Sequence, residues 1–191
     1  FGDSTVFSPM MPYLDGERFT YAFMDYRGYG LSRDQRGDYS MQEIAQDALA
    51  LVDHLGWEHL HLLGHSMGGM VAQRVMTRVP ERIKSCVALT PVPASGVPLE
   101  GDSYALFYGA PTQDANRTQI LDFTTGSRLS RTWLQWMTQR SRETTTEEAY
   151  AGYLRAWVET NFAEELQGNT TPTLALVGEH DPALNADFMQ Q

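Results

Sequence analysis

Short apolar runs alternate along the chain with longer segments whose apolar residues recur at helical spacing. Four of the runs predict strands, at residues 21–24, 60–63, 85–89 and 173–177. The apolar positions of residues 41–55 predict a helix, with Ser40 as its N-cap and Gly56 at its end. A second helix follows Ser66 and ends before Pro80. Strands that alternate with helices in this way indicate a parallel sheet flanked by helices.

The pattern changes between residues 94 and 168, where no strand-like run occurs. Aromatic residues recur there among helical segments, namely Trp133, Trp136, Tyr150, Tyr153, Trp157 and Phe162, and Thr146 is a plausible helix start. We interpret residues 94–168 as an inserted helical cap and residues 1–93 and 169–191 as the core. Most of these aromatic residues are expected to pack the cap against itself, and some to face a pocket beneath it.

The length of the chain limits the number of domains, and its net charge limits the kinds of binding partner. The chain has 191 residues, enough for one core with a small subdomain, and its 14 Lys and Arg against 24 Asp and Glu give a net charge of −10. The basic residues are scattered, which argues against nucleic acid or an anionic membrane and favours a small-molecule partner. No apolar run reaches the roughly 18 residues that span a membrane. The single cysteine, Cys86, suits a reducing compartment, and we expect a cytoplasmic protein.

Residues 60–73 read LHLLGHSMGGMVAQ and place Ser66 where a strand gives way to a helix. A serine at such a sharp turn has an exposed hydroxyl but crowds the residues two positions away on each side, and these are Gly64 and Gly68. The backbone N–H of Met67 lies at the start of the helix, where an oxyanion would form. The pattern therefore predicts a nucleophilic serine, and the alternative is a small residue in a tight turn.

Three motifs, in this order along the chain, resemble those of the α/β-hydrolase family. They are DYRGYGLS at residues 25–32, GHSMGG at residues 64–69 and LVGEHDPAL at residues 176–184. The resemblance implies a three-layer α/β/α sandwich around a mostly parallel sheet. It also implies that Ser66 is the nucleophile and that Asp181 is the acid that orients a catalytic histidine. We interpret Asp25 and Arg27 as an ion pair that fixes a loop.

Both ends of the chain depart from the family pattern. The opening FGDSTVFSPMMPYL resembles the segment that supplies the second oxyanion N–H, which the resemblance assigns to Phe1. In the family the catalytic histidine follows the acid in the chain. No histidine follows Asp181 in these residues, and all five precede it, namely His54, His59, His61, His65 and His180. We therefore expect the first three strands and the histidine segment to lie outside these residues, in a protein of about 260 to 280 residues. The 191 residues alone are expected to be inactive.

The resemblance implies a serine hydrolase that cleaves a small to medium apolar ester through an acyl-enzyme. Such chemistry needs neither a metal ion nor an organic cofactor. Other functions within the same fold stay open, namely carbon–carbon bond hydrolase, lactonase, perhydrolase and acyltransferase. A ligand-binding homologue without turnover is a further alternative. The sequence leaves the oligomeric state open.

Overall fold

The computed structural model describes residues 2–190 and contains a parallel sheet of three strands. They are β1 (Leu60–His65), β2 (Ile83–Leu89) and β3 (Thr173–Leu176), in the order β1-β2-β3. In the register, His65 of β1 pairs with Leu89 of β2, which in turn pairs with Leu176 of β3. The carboxyl ends of all three strands therefore meet at one edge of the sheet.

Seven α-helices are formed by residues 2–190. They are α1 (Met41–His54), α2 (Met67–Arg78), α3 (Gly101–Gly109), α4 (Asp114–Thr124), α5 (Arg131–Thr144), α6 (Glu147–Glu159) and α7 (Ala186–Met189). Short 3-10 helices lie at Ser4–Phe7, Met11–Tyr13, Gly30–Ser32, Pro80–Arg82 and Ala163–Leu166. We call the segment from α3 to α6 the helical insertion. None of the helices in this part of the chain has the length and apolar character needed to cross a membrane.

The predicted helix caps are confirmed. The Ser40 hydroxyl accepts a hydrogen bond from the backbone N–H of Glu43 at 3.1 Å, which satisfies one of the free donors at the start of α1. Thr146 does the same for α6, because its hydroxyl accepts from the backbone N–H of Ala149 at 3.1 Å. Gly56 follows α1 with a φ of +69°, the left-handed conformation that ends many helices.

The predicted strand at residues 21–24 is wrong, since these residues carry no regular secondary structure. Alternating apolar side chains favour an extended chain, but a strand also needs a neighbour for its backbone hydrogen bonds. The aromatic side chains just before this run pack across β1 instead, where the Phe19 ring lies 5.8 Å from the His61 ring, edge to face. On that side of the sheet, β1 has no paired neighbour among residues 2–190.

Helices cover one face of β1 and β2, whereas β3 is exposed on both faces. The main core joins α1, α2 and β2 through side chains such as Ile44, Met70 and Cys86, all about 1% exposed or less. On the opposite face Leu63, Leu174 and Leu176 are 45, 54 and 46% exposed, although leucine is usually buried. Side chains alternate between the two faces of a strand, so the exposure of Leu63 follows from the one-sided cover of β1. All four residues of β3 are exposed, because this strand lies at the edge of the sheet.

Two of the three aromatic residues of α6, Tyr153 and Trp157, pack in the main core. Tyr153 is the centre of this contact, because the rings of Tyr26, Tyr29 and Tyr39 lie 6.0, 5.4 and 5.4 Å from its ring. Trp157 and Phe162 belong to the same core, whereas Tyr150 lies in a smaller cluster within the insertion. The expectation of self-packing is confirmed for Tyr150 and fails for Tyr153 and Trp157, which anchor the insertion to the sheet domain.

Candidate active site

Ser66 occupies a strained turn between β1 and α2. Its φ of 54° and ψ of −120° lie outside the regions that non-glycine residues prefer, at a cost of about 1–3 kcal/mol. Backbone hydrogen bonds hold it there, since Ser66 N donates to Leu89 O at 2.9 Å and Ser66 O accepts from Gly69 N and Val92 N at 2.9 and 3.0 Å. The strained serine is thus fixed to the carboxyl end of β2.

No side chain fits at Gly64 or Gly69, two of the glycines around Ser66, and there is little room for one at Gly68. A Cβ at Gly64 would run into the backbone carbonyl of Gly68. A Cβ at Gly68 would come within 3.0 Å of the Tyr26 hydroxyl, and one at Gly69 would meet Pro91. The turn therefore needs small residues at these positions.

The start of α2 faces the Ser66 turn. Met67 is the first residue of α2, and the N–H groups of a helix's first turn have no acceptor within the helix. They carry the positive end of the helix dipole, which favours negative charge nearby. The Ser66 side chain makes no capping bond to α2, so the hydroxyl is not engaged by the helix start. Phe1, the other residue assigned to the oxyanion site, lies outside the described residues.

Asp181 lies in the loop after β3, at the same edge of the sheet as Ser66. Its carboxylate accepts hydrogen bonds from the backbone N–H groups of Ala183 and Leu184 at 2.9 and 3.0 Å, which fix its orientation. Reduced solvation lowers the pKa of His65, and the negative charge of Asp181 opposes that shift. The ends of β1 and β3 place the Asp181 loop at the same edge of the sheet as the residue that precedes Ser66.

Asp25 holds the amino-terminal segment against the loop of residues 25–32. Its two carboxylate oxygens accept from the backbone N–H groups of Ser4 and Leu31 at 2.6 and 2.8 Å. The expected ion pair between Asp25 and Arg27 is wrong. Arg27 donates instead through Nε and Nη2 to the carboxylate of Asp47 on α1, at 2.8 Å each, and this pairing raises the pKa of Arg27. Backbone N–H donors hold the carboxylate of Asp25 instead.

Gln73 is a residue of the site that the sequence interpretation missed. Its side-chain amide donates to Gly69 O at 3.0 Å and Val92 O at 2.9 Å, and its carbonyl accepts from Ala94 N at 3.0 Å. Gln73 thereby ties α2 to the segment after β2 that also binds Ser66 O. One feature could have pointed to Gln73, because it is a polar residue directly after the buried run of residues 69–72.

Comparison with known proteins identifies the family. A family model of the alpha/beta hydrolase fold matches residues 1–191. The chain belongs to the α/β-hydrolase family. An esterase from Exiguobacterium antarcticum has the same fold as this α/β hydrolase, with a TM-score of 0.85 at 20% identity over 99% of this chain and 74% of that chain.

Two curated relatives of this α/β hydrolase cover much of its sequence. One is the dihydrolipoyllysine-residue acetyltransferase component of the acetoin cleaving system of Pseudomonas putida, 33% identical over 72% of this chain and 37% of that protein. The other is a non-heme haloperoxidase of Rhodococcus erythropolis, 30% identical over 82% of this chain and 63% of that protein. The chain thus spans less than two thirds of the length of either relative.

The helical insertion of this α/β hydrolase meets the site region at separate points. The backbone N–H of Thr146 donates to Gly28 O at 2.9 Å, beside an antiparallel bridge between Tyr29 and Thr145. At another point, a Cβ on Gly126 would contact the backbone and Cβ of His180 in the Asp181 loop. The insertion therefore touches both the loop of residues 25–32 and the acid loop.

The four histidines other than His65 lie on α1, on or just before β1, and in the Asp181 loop. His54 ends α1, and His59 precedes β1. His61 on β1 makes a hydrogen bond of 2.7 Å with the Ser85 hydroxyl. His180 is half exposed and lies 4.0 Å from the Glu179 carboxylate. Among residues 2–190, no group of three or more His, Cys, Asp or Glu side chains is arranged to hold a metal ion.

Proposed function

We propose that this α/β hydrolase is a serine hydrolase that cleaves a small to medium apolar ester through an acyl-enzyme. The strained Ser66 at the start of α2 carries the proposal. Strain of this kind persists only where surrounding contacts impose it, and it is common at active sites. A turn that needed only a small residue would be served by glycine at no such cost.

In the proposed reaction, the Ser66 hydroxyl oxygen attacks the ester carbonyl carbon while a histidine takes the hydroxyl proton. The family pattern assigns this role to a histidine that follows Asp181 in chain order, and Asp181 holds its tautomer. The N–H groups of Met67 and Phe1 bind the negatively charged oxygen. The alcohol leaves with the histidine's proton, and water then releases the acid and regenerates the serine.

The proposed substrate class follows from charge and from the helical insertion. With a net charge of −10, the protein repels anionic ligands, which favours a neutral molecule. We infer that residues 94–168 form a cap beside Ser66, because the insertion contacts both the acid loop and the loop of residues 25–32. A cytoplasmic location, which Cys86 suggests, belongs to the same proposal.

Acyl transfer to an acceptor other than water is a second candidate, since the P. putida relative is named an acetyltransferase component. The acyl-enzyme would form in the same way and then react with an alcohol or a thiol. Product analysis separates the two candidates. Ester products that dominate at low concentrations of an added alcohol would establish the transferase and overturn the hydrolase.

The decisive experiment is labelling with a fluorophosphonate, which reacts quickly only with an activated serine. The protein expressed from its intact gene is expected to gain one adduct, mapped to Ser66, and Ser66→Ala is expected to gain none. Ser95→Ala, which removes an exposed serine, serves as the matched control and should label normally. Asp181→Asn should slow labelling by about 100-fold or more. Folded protein that takes up no label would favour a binding protein without turnover.

A further inference from the structure

One side-chain amide on α2 reaches three backbone groups beside the Ser66 turn. Gln73 donates through Nε2 to Gly69 O at 3.0 Å and to Val92 O at 2.9 Å, and its Oε1 accepts from Ala94 N at 3.0 Å. A backbone N–H can only donate, so the atom opposite Ala94 N is the amide oxygen and the NH2 group faces the two carbonyls. The two donors and the acceptor of the amide therefore match the three backbone groups around it.

The two carbonyls belong to the residues that hold Ser66. The backbone N–H groups of Gly69 and Val92 both donate to Ser66 O, at 2.9 and 3.0 Å. Gln73 thus binds the carbonyl oxygen of each residue whose N–H binds Ser66 O. Gly69, Val92 and Ala94 are all buried, so water is a poor replacement for the amide. One side chain therefore holds both donors to the Ser66 carbonyl in place.

The hydrogen bonds to Ser66 O also orient the backbone N–H of Met67. The carbonyl of Ser66 and the N–H of Met67 belong to one peptide unit, which is planar and trans. The two groups therefore point in opposite directions, and a rotation of the carbonyl turns the N–H by the same angle. The φ of 54° and ψ of −120° at Ser66 persist only because surrounding contacts impose them. Without firm donors to Ser66 O, this peptide plane would relax and the Met67 N–H would turn with it.

We propose that Gln73 is a positioning residue, which sets the direction of the Met67 N–H by holding the two donors to the Ser66 carbonyl. The inference rests on the proposed function, in which the Met67 N–H binds the oxyanion. A donor aimed at the oxyanion acts mainly in the transition state, and a misplacement of about 1 Å can cost about 100-fold in rate. Removing the Gln73 amide should therefore lower kcat far more than it raises KM.

Arg74 provides a matched control, because it is the next residue on α2. Its guanidinium pairs with the Glu165 carboxylate, donates to Gln42 Oε1 at 2.9 Å and lies 5.0 Å from the centre of the Phe162 ring. These contacts join α2 to α1 and to the segment that follows α6. The Arg74 side chain is 16% exposed, so its loss is expected to affect stability. Replacing Arg74 with methionine thus loosens the packing of α2 without removing a hydrogen bond of the nucleophile turn.

The test compares Gln73→Met with Arg74→Met in the protein expressed from its intact gene. Methionine resembles glutamine in length and helix propensity but has no donor. The readouts are the rate of fluorophosphonate labelling at Ser66, kcat and KM for 4-nitrophenyl butyrate, hydrogen exchange of the Gly69 and Val92 N–H groups, and the thermal midpoint. Gln73→Met should lower the labelling rate and kcat by about 10- to 100-fold, keep KM within about threefold, and speed both exchanges. Arg74→Met should keep all of these rates within about threefold of wild type even if its midpoint falls.

A second variant keeps the test decisive if Gln73→Met folds poorly. Gln73→Glu keeps the length of the side chain and an acceptor for Ala94 N, but it turns a carboxylate oxygen toward the two carbonyls. Its labelling rate should fall at least as far. The ratio of that rate to the wild-type rate should rise as the pH falls, because the protonated carboxyl regains one donor.

The outcomes separate this inference from the proposed function. Wild-type labelling rates in folded Gln73→Met or Gln73→Glu would overturn the inference alone. Equal losses of kcat in Gln73→Met and Arg74→Met would overturn it as well, because general loosening of α2 would then account for both. Wild-type protein that neither labels nor cleaves the ester would overturn the proposed function, and this inference with it.

Discussion

At the scale of single residues, the conformation of the turn at Ser66 depends on the absence of a side chain at Gly64. Gly64→Ala would push a Cβ against the carbonyl of Gly68 and force the turn open. We expect a loss of about 1–3 kcal/mol of unfolding free energy, together with a fall of about 100-fold or more in the rate of fluorophosphonate labelling. Urea unfolding and intact-mass kinetics measure the two effects.

Gly56→Ala provides the control for this prediction. Gly56 has a φ of +69°, and no atom lies within 4 Å of the place that a Cβ would take, so alanine meets backbone strain but no clash. It should cost about 1–2 kcal/mol and leave the labelling rate unchanged. If both variants are labelled at the same rate, the turn at Ser66 tolerates a side chain at position 64. Crowding at that position would then not determine the geometry of the site.

Residue roles were predictable where neighbours in sequence are also neighbours in space. The crowding at Gly64 and the cap at Ser40 follow from residues a few positions away. The pairing of Arg27 with Asp47 could not be foreseen, because its partner lies 20 positions along the chain and the nearer Asp25 is already bound by backbone donors. The contacts of Gln73 were missed for the same reason.

At the scale of elements, the junction between α6 and the loop of residues 25–32 is tight. Gly28 has a φ of +79°, and a Cβ there would overlap the Cβ of Ala149, which is fully buried. Gly28→Ala should therefore cost about 2–4 kcal/mol from clash and backbone strain together. Urea unfolding of the protein measures this loss of unfolding free energy, which arises where the helical insertion packs against the loop of residues 25–32.

A double variant separates the clash from the strain. Ala149→Gly alone should cost about 1 kcal/mol, since glycine is a poorer helix residue than alanine. In combination with Gly28→Ala it restores the missing space, so the double variant should be less destabilised than the sum of the single changes. Strict additivity would show that the Gly28 backbone, and not the contact with α6, accounts for the cost.

Element prediction from the sequence succeeded for helices and failed for one strand, for a physical reason. A helix such as α1 satisfies its backbone within itself, so its limits are visible in the local pattern and caps. A strand forms only beside a partner that the local sequence does not contain, and residues 21–24 have none among the described residues. The strands β1, β2 and β3 were recovered because they pair with one another.

At the scale of the whole molecule, the candidate site collects segments from across the chain. Ser66 follows β1 and Asp181 lies in the loop after β3, while the helical insertion reaches the amino-terminal segment through the ion pair of Arg140 with Asp3. The parallel sheet explains the first two, because strand register alone brings the carboxyl ends to one edge. The contact between Asp3 and Arg140 needs the complete packing of the helical insertion, which no motif encodes.

The open face of the sheet gives a prediction for the 191-residue chain studied on its own. Leu63, Leu174 and Leu176 form a group of half-exposed leucines on β1 and β3, and exposed apolar surface of this kind binds dyes and promotes association. The chain should enhance the fluorescence of anilinonaphthalene sulfonate and associate as its concentration rises. Leu174→Thr with Leu176→Thr should reduce both effects without loss of helical signal, because threonine suits an exposed strand.

The buried Leu154 on α6 supplies the contrast for this prediction. It is 1% exposed, so Leu154→Thr should lower the unfolding free energy by about 2–5 kcal/mol and increase dye binding, the opposite of the surface changes. Dye fluorescence and sedimentation at several concentrations give both readouts. If the chain stays monomeric and does not enhance the fluorescence of the dye, these leucines are buried in solution. The exposed face described above would then be wrong.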